Sequence, residues 1–390
     1  MTQHGNDGSS FYRLLSCAAV VGTAAVFGLT YSLSAALIAL DLAEMGLGEG
    51  LIGANAAMHA VGVLAMAFLL PGITAFFGMR RTMVGALFCA AALMTLFPAM
   101  PHFWLWFPLR ILLGAASETL FVLSETWLNA LSLEQTRARV MGIYTAAMSV
   151  GFALGPLLLS FVGTDGFTPY LTGSTLAVLA ALFVMSPRVF APNIEKPEHS
   201  HPLHFMRLAP LALAATSLNA AIETSGLTFL TLYALSLGWQ EAQATQLMTC
   251  MMLGAIILQL PIGWLGDKVN RRRMVIILSV LSAFGALLWP LALQNPLTTY
   301  GLLFVWGGVF VGIYTMMLTI VGSRFKGSML VGIYASMGLF WGGGALVGPL
   351  FAGAAMQIAA HGLSFFAVAA CGVFAVLAVI LKEHKENTGH

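Results

Sequence analysis

Three ionisable side chains lie inside one apolar run, residues 102–131: Arg110, Glu118 and Glu125. At 100° per residue they fall on one face of a helix, and the two glutamates are about two turns apart. On insertion scales, a charged side chain at the centre of a membrane-spanning helix costs ~2.5–3.5 kcal/mol. We therefore expect this face to meet protein, water or a substrate rather than lipid.

Carboxyl groups in such a place can take up and release protons. Burial favours the neutral acid and a nearby guanidinium favours the carboxylate, so their balance can place proton exchange near neutral pH. We expect Glu118, which is nearer the middle of the run, to meet substrate as well. The alternative is that one of the two glutamates pairs permanently with Arg110 and only neutralises it.

A second polar face lies in the other half of the chain, where Asn219 and Glu223 have the i, i+4 spacing of helix neighbours. Glu223 either contributes to proton coupling and the substrate cavity or makes a polar contact between helices. Tyr31, Tyr233 and His59 complete the side chains predicted to line the cavity. A lone histidine is also commonly a hydrogen-bonded packing residue.

The composition indicates an integral membrane protein, because 59% of the 390 residues are hydrophobic and 8% are charged. In soluble proteins about a quarter of the residues are charged. Apolar runs of ~20 residues can cross a bilayer as helices. Twelve such runs, called spans 1–12 here, fall at about 12–40, 50–71, 82–100, 102–131, 138–162, 168–187, 207–237, 243–265, 274–293, 298–322, 328–358 and 362–381. The predicted fold class is all-α, with twelve transmembrane helices.

The longest polar and proline-rich segment, residues 188–206, is predicted to be a cytoplasmic linker. It separates two predicted six-helix bundles, residues 1–187 and residues 207–390, the second of which includes a short cytoplasmic tail. With the N-terminus inside, sixteen of the seventeen basic residues fall on the cytoplasmic side, and Arg110 is the exception. Both termini are therefore expected in the cytoplasm.

A glycine and proline pattern recurs at an offset of 193 residues, as Gly151, Gly155 and Pro156 in span 5 and Gly344, Gly348 and Pro349 in span 11. The segments 140–144 and 330–334 are also similar. An offset of half the chain indicates six helices duplicated in parallel orientation, with a pseudo-twofold axis along the membrane normal. This arrangement is typical of transporters.

The whole chain resembles the major facilitator superfamily. The loop between spans 8 and 9 has Gly263, Asp267, Arg271 and Arg272 at the spacing of the superfamily's G-x-x-x-D-x-x-G-R-R cytoplasmic signature, with Asn270 in place of the second glycine. The resemblance implies a conformational latch, in which a charge-assisted pair holds one state. The first-half counterpart has Arg80 and Arg81 but has Ala75 at the aspartate position.

Span 5, with Gly142 preceding the pattern above, is similar to the signature of the superfamily's drug and metabolite antiporters. Small residues there also permit close helix packing, and we predict such a packing motif in spans 5 and 11. Arg110 followed by Gly114 resembles the helix 4 motif, whose arginine is assigned a part in proton coupling. The residues around Glu125 look most like the YcaD-type group, which makes Glu125 the preferred coupling group.

The predicted function is secondary active transport, as a monomer in the bacterial inner membrane, of a small amphipathic metabolite or drug-like compound. We expect proton-coupled export by alternating access. One alternative is a proton-coupled importer or a facilitator on the same fold, and another is a membrane sensor or scaffold without transport. The sequence has no nucleotide loop, metal cluster, catalytic triad or basic stripe, so no cofactor, enzymatic activity or nucleic-acid partner is predicted.

Overall fold

The computed structural model describes residues 4–132, 137–191, 208–325 and 327–381. These residues form a short 3-10 turn, Phe103–Leu105, and fourteen α-helices, and no strand occurs among them. In chain order the helices are α1 His4–Glu44, α2 Glu49–Phe77, α3 Met79–Ala99, α4 Trp106–Leu131, α5 Arg137–Val162, α6 Thr168–Met185, α7 Pro210–Ser236, α8 Glu241–Ile257, α9 Gln259–Lys268, α10 Arg271–Leu287, α11 Trp289–Ala292, α12 Pro296–Arg324, α13 Gly327–Ile358 and α14 Gly362–Ile380.

Each of the twelve predicted spans is helical, and the predicted all-α membrane fold is confirmed. Helices α1–α7 are spans 1–7, and α12–α14 are spans 10–12. Span 8 is divided into α8 and α9 at Leu258, and span 9 into α10 and α11 at Leu288. Pro261 and Pro290 follow these breaks. Proline lacks an N–H and its ring clashes with the carbonyl one turn earlier, so both interruptions have a local cause.

Ten helical segments of the described chain are long and apolar enough to cross a membrane. The two predicted spans outside this set are span 7 and span 9. Helix α7 contains Asn219, Glu223 and several serines and threonines, and α10 has 17 residues with three arginines in its first turn. The polar character of α7 shows that parts of this helix are not built to face lipid.

The helices form two compact units. Unit 1 includes Met1–Gly46, Met58–Pro197 and Glu241–Thr249, and unit 2 includes Leu47–Ala57, Glu198–Gln240 and Cys250–His390. The first residues of α2 therefore belong to unit 2, and the first residues of α8 belong to unit 1. The predicted bundle boundaries, 1–187 and 207–390, stay a prediction.

In unit 1, helix α5 packs closely against α1 through glycines. A Cβ on Gly151 would lie 2.1 Å from the carbonyl oxygen of Ala25, and one on Gly155 would lie 2.0 Å from the hydroxyl of Ser32. Such distances are impossible for a real Cβ, so only glycine allows this approach. Gly142, the first member of the predicted motif, lies in α5, and its part in the packing stays a prediction.

In unit 2, the second copy of the pattern makes the corresponding contact between α13 and α7. A Cβ on Gly344 would lie 2.2 Å from the carbonyl oxygen of Ser217, and one on Gly348 would lie 2.4 Å from that of Ala221. Pro156 and Pro349 lie inside α5 and α13, immediately after these glycines. The internal repeat of the sequence is therefore also a repeat of helix packing.

Candidate functional site

The two glutamates of α4 are half-buried. Neither Glu118 nor Glu125 makes a hydrogen bond or ion pair with another residue in the described part of the chain. Seven residues of helix separate their positions, which places them about 10 Å apart along the axis. A half-buried carboxyl group without a protein partner is open to water, protons or a ligand.

Arg110 lies on the same helix and is 3% exposed. One terminal nitrogen donates a hydrogen bond of 3.3 Å to the carbonyl oxygen of Ser34 on α1, and the Nε atom has no partner. Among the described residues no carboxylate pairs with this guanidinium. In this structure, therefore, neither glutamate of α4 pairs with Arg110. The nearer one, Glu118, lies about 12 Å further along the helix axis.

His59 on α2 lies beside this part of α4. Its side chain is 4% exposed, and neither ring nitrogen has a hydrogen-bond partner. Its ring makes an edge-to-face contact with Tyr31 of α1, with ring centroids 4.8 Å apart. Both the His59 imidazole and the Tyr31 phenol lie within electrostatic range of the Arg110 guanidinium. The structure thus brings together three of the predicted site residues in unit 1.

An aromatic group continues from Tyr31 towards the glutamates. Tyr31 contacts Phe152 of α5 at 5.5 Å, and Phe27, one turn earlier on α1, contacts Phe121 of α4 at 5.9 Å. Phe27 also contacts both Tyr31 and Phe152. Phe121 and Phe152 were not predicted from the sequence to line this site. Only the i, i+4 spacing of Phe27 and Tyr31 points to a shared face.

A hydroxyl pair lies next to Glu125. The Ser124 and Tyr144 hydroxyl groups are 3.1 Å apart, and the Tyr144 side chain is 3% exposed. Tyr144 also lies within electrostatic range of both glutamates of α4. Tyr144 is therefore a further polar group of this face, beyond the residues predicted to form the site.

In unit 2, Asn219 and Glu223 form the predicted i, i+4 pair. The side-chain nitrogen of Asn219 donates a hydrogen bond of 3.2 Å to Oε2 of Glu223, while Oδ1 of Asn219 has no partner. Tyr233 is fully buried, and its hydroxyl lies 2.8 Å from Nδ1 of His361. Tyr233 is thus part of the packed interior of unit 2, and its role in a substrate cavity stays a prediction.

An apolar cavity in unit 2 is lined by Trp289, Trp306 and Leu363 among others, and no charged side chain faces it. It is therefore distinct in chemistry from the proton site predicted on α4. In the described part of the chain, no group of three or more His, Cys, Asp or Glu side chains is placed to hold a metal ion.

Two of the four predicted latch arginines, Arg80 and Arg272, bind main-chain carbonyl groups at helix ends. Arg80, at the start of α3, donates through Nε to the carbonyl oxygen of Val184 at 3.1 Å and through a terminal nitrogen to those of Ser186 and Val189. These carbonyl groups lie at and beyond the end of α6. A charged side chain that binds the last carbonyl groups stabilises a helix terminus.

Arg272 makes the same arrangement in unit 2, 192 residues later. At the start of α10, it donates to the carbonyl oxygens of Ala378 at 3.1 Å and Leu381 at 2.8 Å, at the end of α14. The side chain of Asp267 lies outside the described residues. The latch predicted from Gly263, Asp267, Arg271, Arg272, Arg80 and Arg81 therefore stays a prediction.

Comparisons with known proteins agree with the fold described above. The sequence matches the model of the Major Facilitator Superfamily over residues 19–240 and 211–390. It is 26% identical to the Uncharacterized MFS-type transporter YcaD of Escherichia coli over 357 residues, which are 91% of each chain. It is also 26% identical to the Uncharacterized MFS-type transporter YfkF of Bacillus subtilis over 262 residues, 65% of this chain and 66% of that protein.

Two solved structures share the fold at low sequence identity. The nucleoside transporter NupG superposes with a TM-score of 0.74 and 14% identity, covering 94% of this chain and 97% of that one. The D-xylose-proton symporter superposes with a TM-score of 0.72 and 15% identity, covering 97% and 99%. At these identities the likeness concerns the fold alone.

Proposed function

Because this chain belongs to the major facilitator superfamily, we propose that it exports a small amphipathic compound in exchange for protons. The superfamily and the relatives identify a membrane transporter. The coupling ion, the direction and the type of compound are the proposal.

Proton coupling is supported by one observation: Glu118 and Glu125 are half-buried on one helix and have no protein partner among the described residues. Placing ionisable groups in a membrane-spanning helix is costly, and such groups commonly belong to proton or substrate pathways. A carboxyl group that is already paired cannot exchange its proton without first breaking that pair. These two need no such step.

Glu125 is the proposed coupling group, with Glu118, Arg110 and Glu223 as further candidates. The hydroxyl pair of Ser124 and Tyr144 next to Glu125 can hydrogen-bond a water molecule that carries a proton. An amphipathic substrate is supported by the aromatic group of Phe27, Tyr31, Phe121 and Phe152, which adjoins charged side chains.

Export is supported by the glycine and proline pattern of α5, which is similar to that of antiporters. The importer alternative differs in the sign of the gradient-driven flux, and the facilitator alternative differs in having no gradient-driven flux. Purified protein in vesicles with an imposed pH gradient distinguishes them, because an antiporter moves the compound against the direction of proton flow. A symporter moves both the same way, and a facilitator shows no response to the gradient.

The compounds for that assay come from a thermal-shift screen of the purified protein against metabolites and drugs, at acid and at alkaline pH. Vesicles then report proton movement with an internal pH dye and compound movement by mass spectrometry. We expect compound and proton fluxes to be opposite and coupled. Compound movement that is unaffected by the pH gradient would remove proton antiport from the proposal.

A further inference from the structure

We propose that Arg110 and His59 bind the carboxylate of an aromatic or similarly apolar organic anion whose apolar part lies against Tyr31. These three residues are called the Arg110 site here. This inference names the substrate class of the transporter and so rests on the proposed function. It assigns Arg110 to the ligand rather than to a glutamate of the chain.

The charge of Arg110 is not matched by any carboxylate among the described residues. The guanidinium is buried, is unpaired with any described carboxylate, and uses one long hydrogen bond to Ser34. A buried charge without a partner is strongly unfavourable. The planar guanidinium presents several donors in a fork that fits the two oxygens of a carboxylate. A bound organic anion supplies the missing charge and accepts the unused Nε–H.

His59 is also buried, and neither of its ring nitrogens has a hydrogen-bond partner. A neutral imidazole has one N–H donor and one acceptor. Next to a carboxylate held by Arg110, that donor can satisfy a second lone pair of the anion. The Nε–H of Arg110 and both ring nitrogens of His59 are buried without a hydrogen-bond partner. Adjacent unsatisfied groups of this kind indicate a place for one polar ligand rather than two separate packing defects.

The internal repeat contains a second copy of the helix contact at which His59 and Arg110 lie. In unit 1, α2 and α4 contact each other through glycines. In unit 2, α8 and α12 make the same kind of contact through glycines that lie 192 or 193 residues later in the chain. The glycines are Gly62 and Gly114 in unit 1, and Gly254 and Gly307 in unit 2.

At this shared contact the two units differ in polarity. The positions of His59 and Arg110 are taken in unit 2 by Met251 and Leu303, which are 7% and 2% exposed. The helix contact is thus built with apolar side chains in one unit and with a buried cation and imidazole in the other. Close packing of the two helices therefore does not require His59 and Arg110. We propose that a ligand does.

Aromatic side chains adjoin the Arg110 site. The ring of Tyr31 contacts the rings of His59 and Phe152, at 4.8 and 5.5 Å between centroids. Phe27 and Phe121 extend the aromatic surface along α4. A ligand whose carboxylate meets Arg110 therefore meets aromatic rings with its remainder. Flat apolar groups stack well on such rings.

The test uses the purified full-length protein in detergent and two probes of equal shape, 2-naphthoate and its neutral amide, 2-naphthamide. Equilibrium binding is measured without a pH gradient. We expect naphthoate to bind more tightly than naphthamide by roughly tenfold or more, because only the carboxylate completes the buried cation. Equal binding of the two probes, or no binding of naphthoate, overturns the inference.

The decisive variant carries Arg110→Leu and His59→Met, the residues found at the repeat positions of unit 2. We expect it to lose the preference for naphthoate while its melting temperature stays the same or rises, since an unmatched buried charge is removed. A preserved preference overturns the inference. If this variant does not fold, Arg110→Lys decides, because lysine keeps the charge but loses the planar fork, and unchanged naphthoate binding then overturns it.

Two further measurements test whether naphthoate binding comes from the Arg110 site. Arg273→Gln removes an exposed cation and is expected to leave naphthoate binding unchanged. Phosphatidylglycerol is added to test whether the Arg110 site binds an anionic lipid rather than a soluble anion. Loss of the preference for naphthoate at low lipid content overturns the substrate assignment. The binding assay uses no pH gradient, so its result is independent of the flux assay. A preference for naphthoate without proton-coupled flux contradicts only the proposed function. Proton-coupled flux without a preference for naphthoate contradicts only this inference.

Discussion

Gly114 on α4 lies directly against the main chain of His59 on α2, where a Cβ on the glycine would fall 2.0 Å from the His59 carbonyl oxygen. Gly62 makes the reciprocal contact with the carbonyl oxygen of Ile111. These two contacts bring α2 and α4 close enough for His59 and Arg110 to interact. The position of the Arg110 site therefore depends on glycine at both places.

Replacing Gly114 with alanine is expected to separate α2 from α4 and to destabilise the protein by about 1–3 kcal/mol, as overpacking does in close helix contacts. The melting temperature of the purified protein measures this. Gly85→Ala is the matched control, because Gly85 lies inside helix α3 with nothing within 4 Å of an added Cβ. It is expected to be neutral or slightly stabilising, since alanine favours helix. Equal effects of the two substitutions would contradict the role of the contact.

The positions of the helices follow from the sequence because an apolar run of sufficient length has few other structures in a membrane. The interruptions at Leu258 and Leu288 were not predicted. A proline inside a membrane helix is sometimes accommodated by a bend, and its neighbours decide the outcome. Sequence therefore gives the number of spans more readily than their internal distortions.

The face of α4 that contains Arg110, Glu118 and Glu125 was predictable from helical periodicity alone. The partners were not, because Ser34 is 76 residues away from Arg110 in the chain. The same limit applies to Arg80 and Arg272. Their sequence context resembles a latch, whereas their carbonyl partners lie more than 100 residues further on and carry no side-chain signal.

Arg272 is expected to stabilise unit 2 by holding the end of α14. Arg272→Gln should lower the free energy of unfolding by about 1.5–3 kcal/mol, the range for hydrogen bonds made by charged groups. A melting curve of the purified protein measures the change. Arg273→Gln, at the exposed next position, is the control and should leave the melting temperature unchanged. Indistinguishable melting curves for the two variants would show that the carbonyl contacts of Arg272 contribute little.

The predicted latch at Asp267 concerns the rate at which the transporter changes state. Asp267→Asn removes the charge that the superfamily signature supplies and is expected to slow turnover without altering which compounds are moved. Asn270→Gly, which restores the second glycine of the signature, is the control. It loses the hydrogen bond of the Asn270 side chain to the Arg273 N–H, and glycine at such a position costs only a few tenths of a kcal/mol. Wild-type turnover in the Asp267 variant would refute the latch.

Glu125 is expected to be required for proton coupling but not for substrate binding. Glu125→Gln keeps the size and hydrogen-bonding capacity of the side chain and removes its ability to exchange a proton. In vesicles with an imposed pH gradient, we expect the variant to lose gradient-driven flux while it still binds the compound in the detergent assay.

Glu49→Gln at the first residue of α2 is the control for Glu125→Gln and is expected to transport normally. Glu118→Gln distinguishes the roles of the two glutamates of α4. If Glu118 contacts substrate, this variant should bind the compound more weakly while its flux still responds to the pH gradient. If Glu125→Gln keeps gradient-driven flux at the wild-type level, Glu125 is not the coupling group and the role belongs to Glu118 or Glu223. Loss of gradient-driven flux in Glu118→Gln would then identify Glu118 as the coupling group.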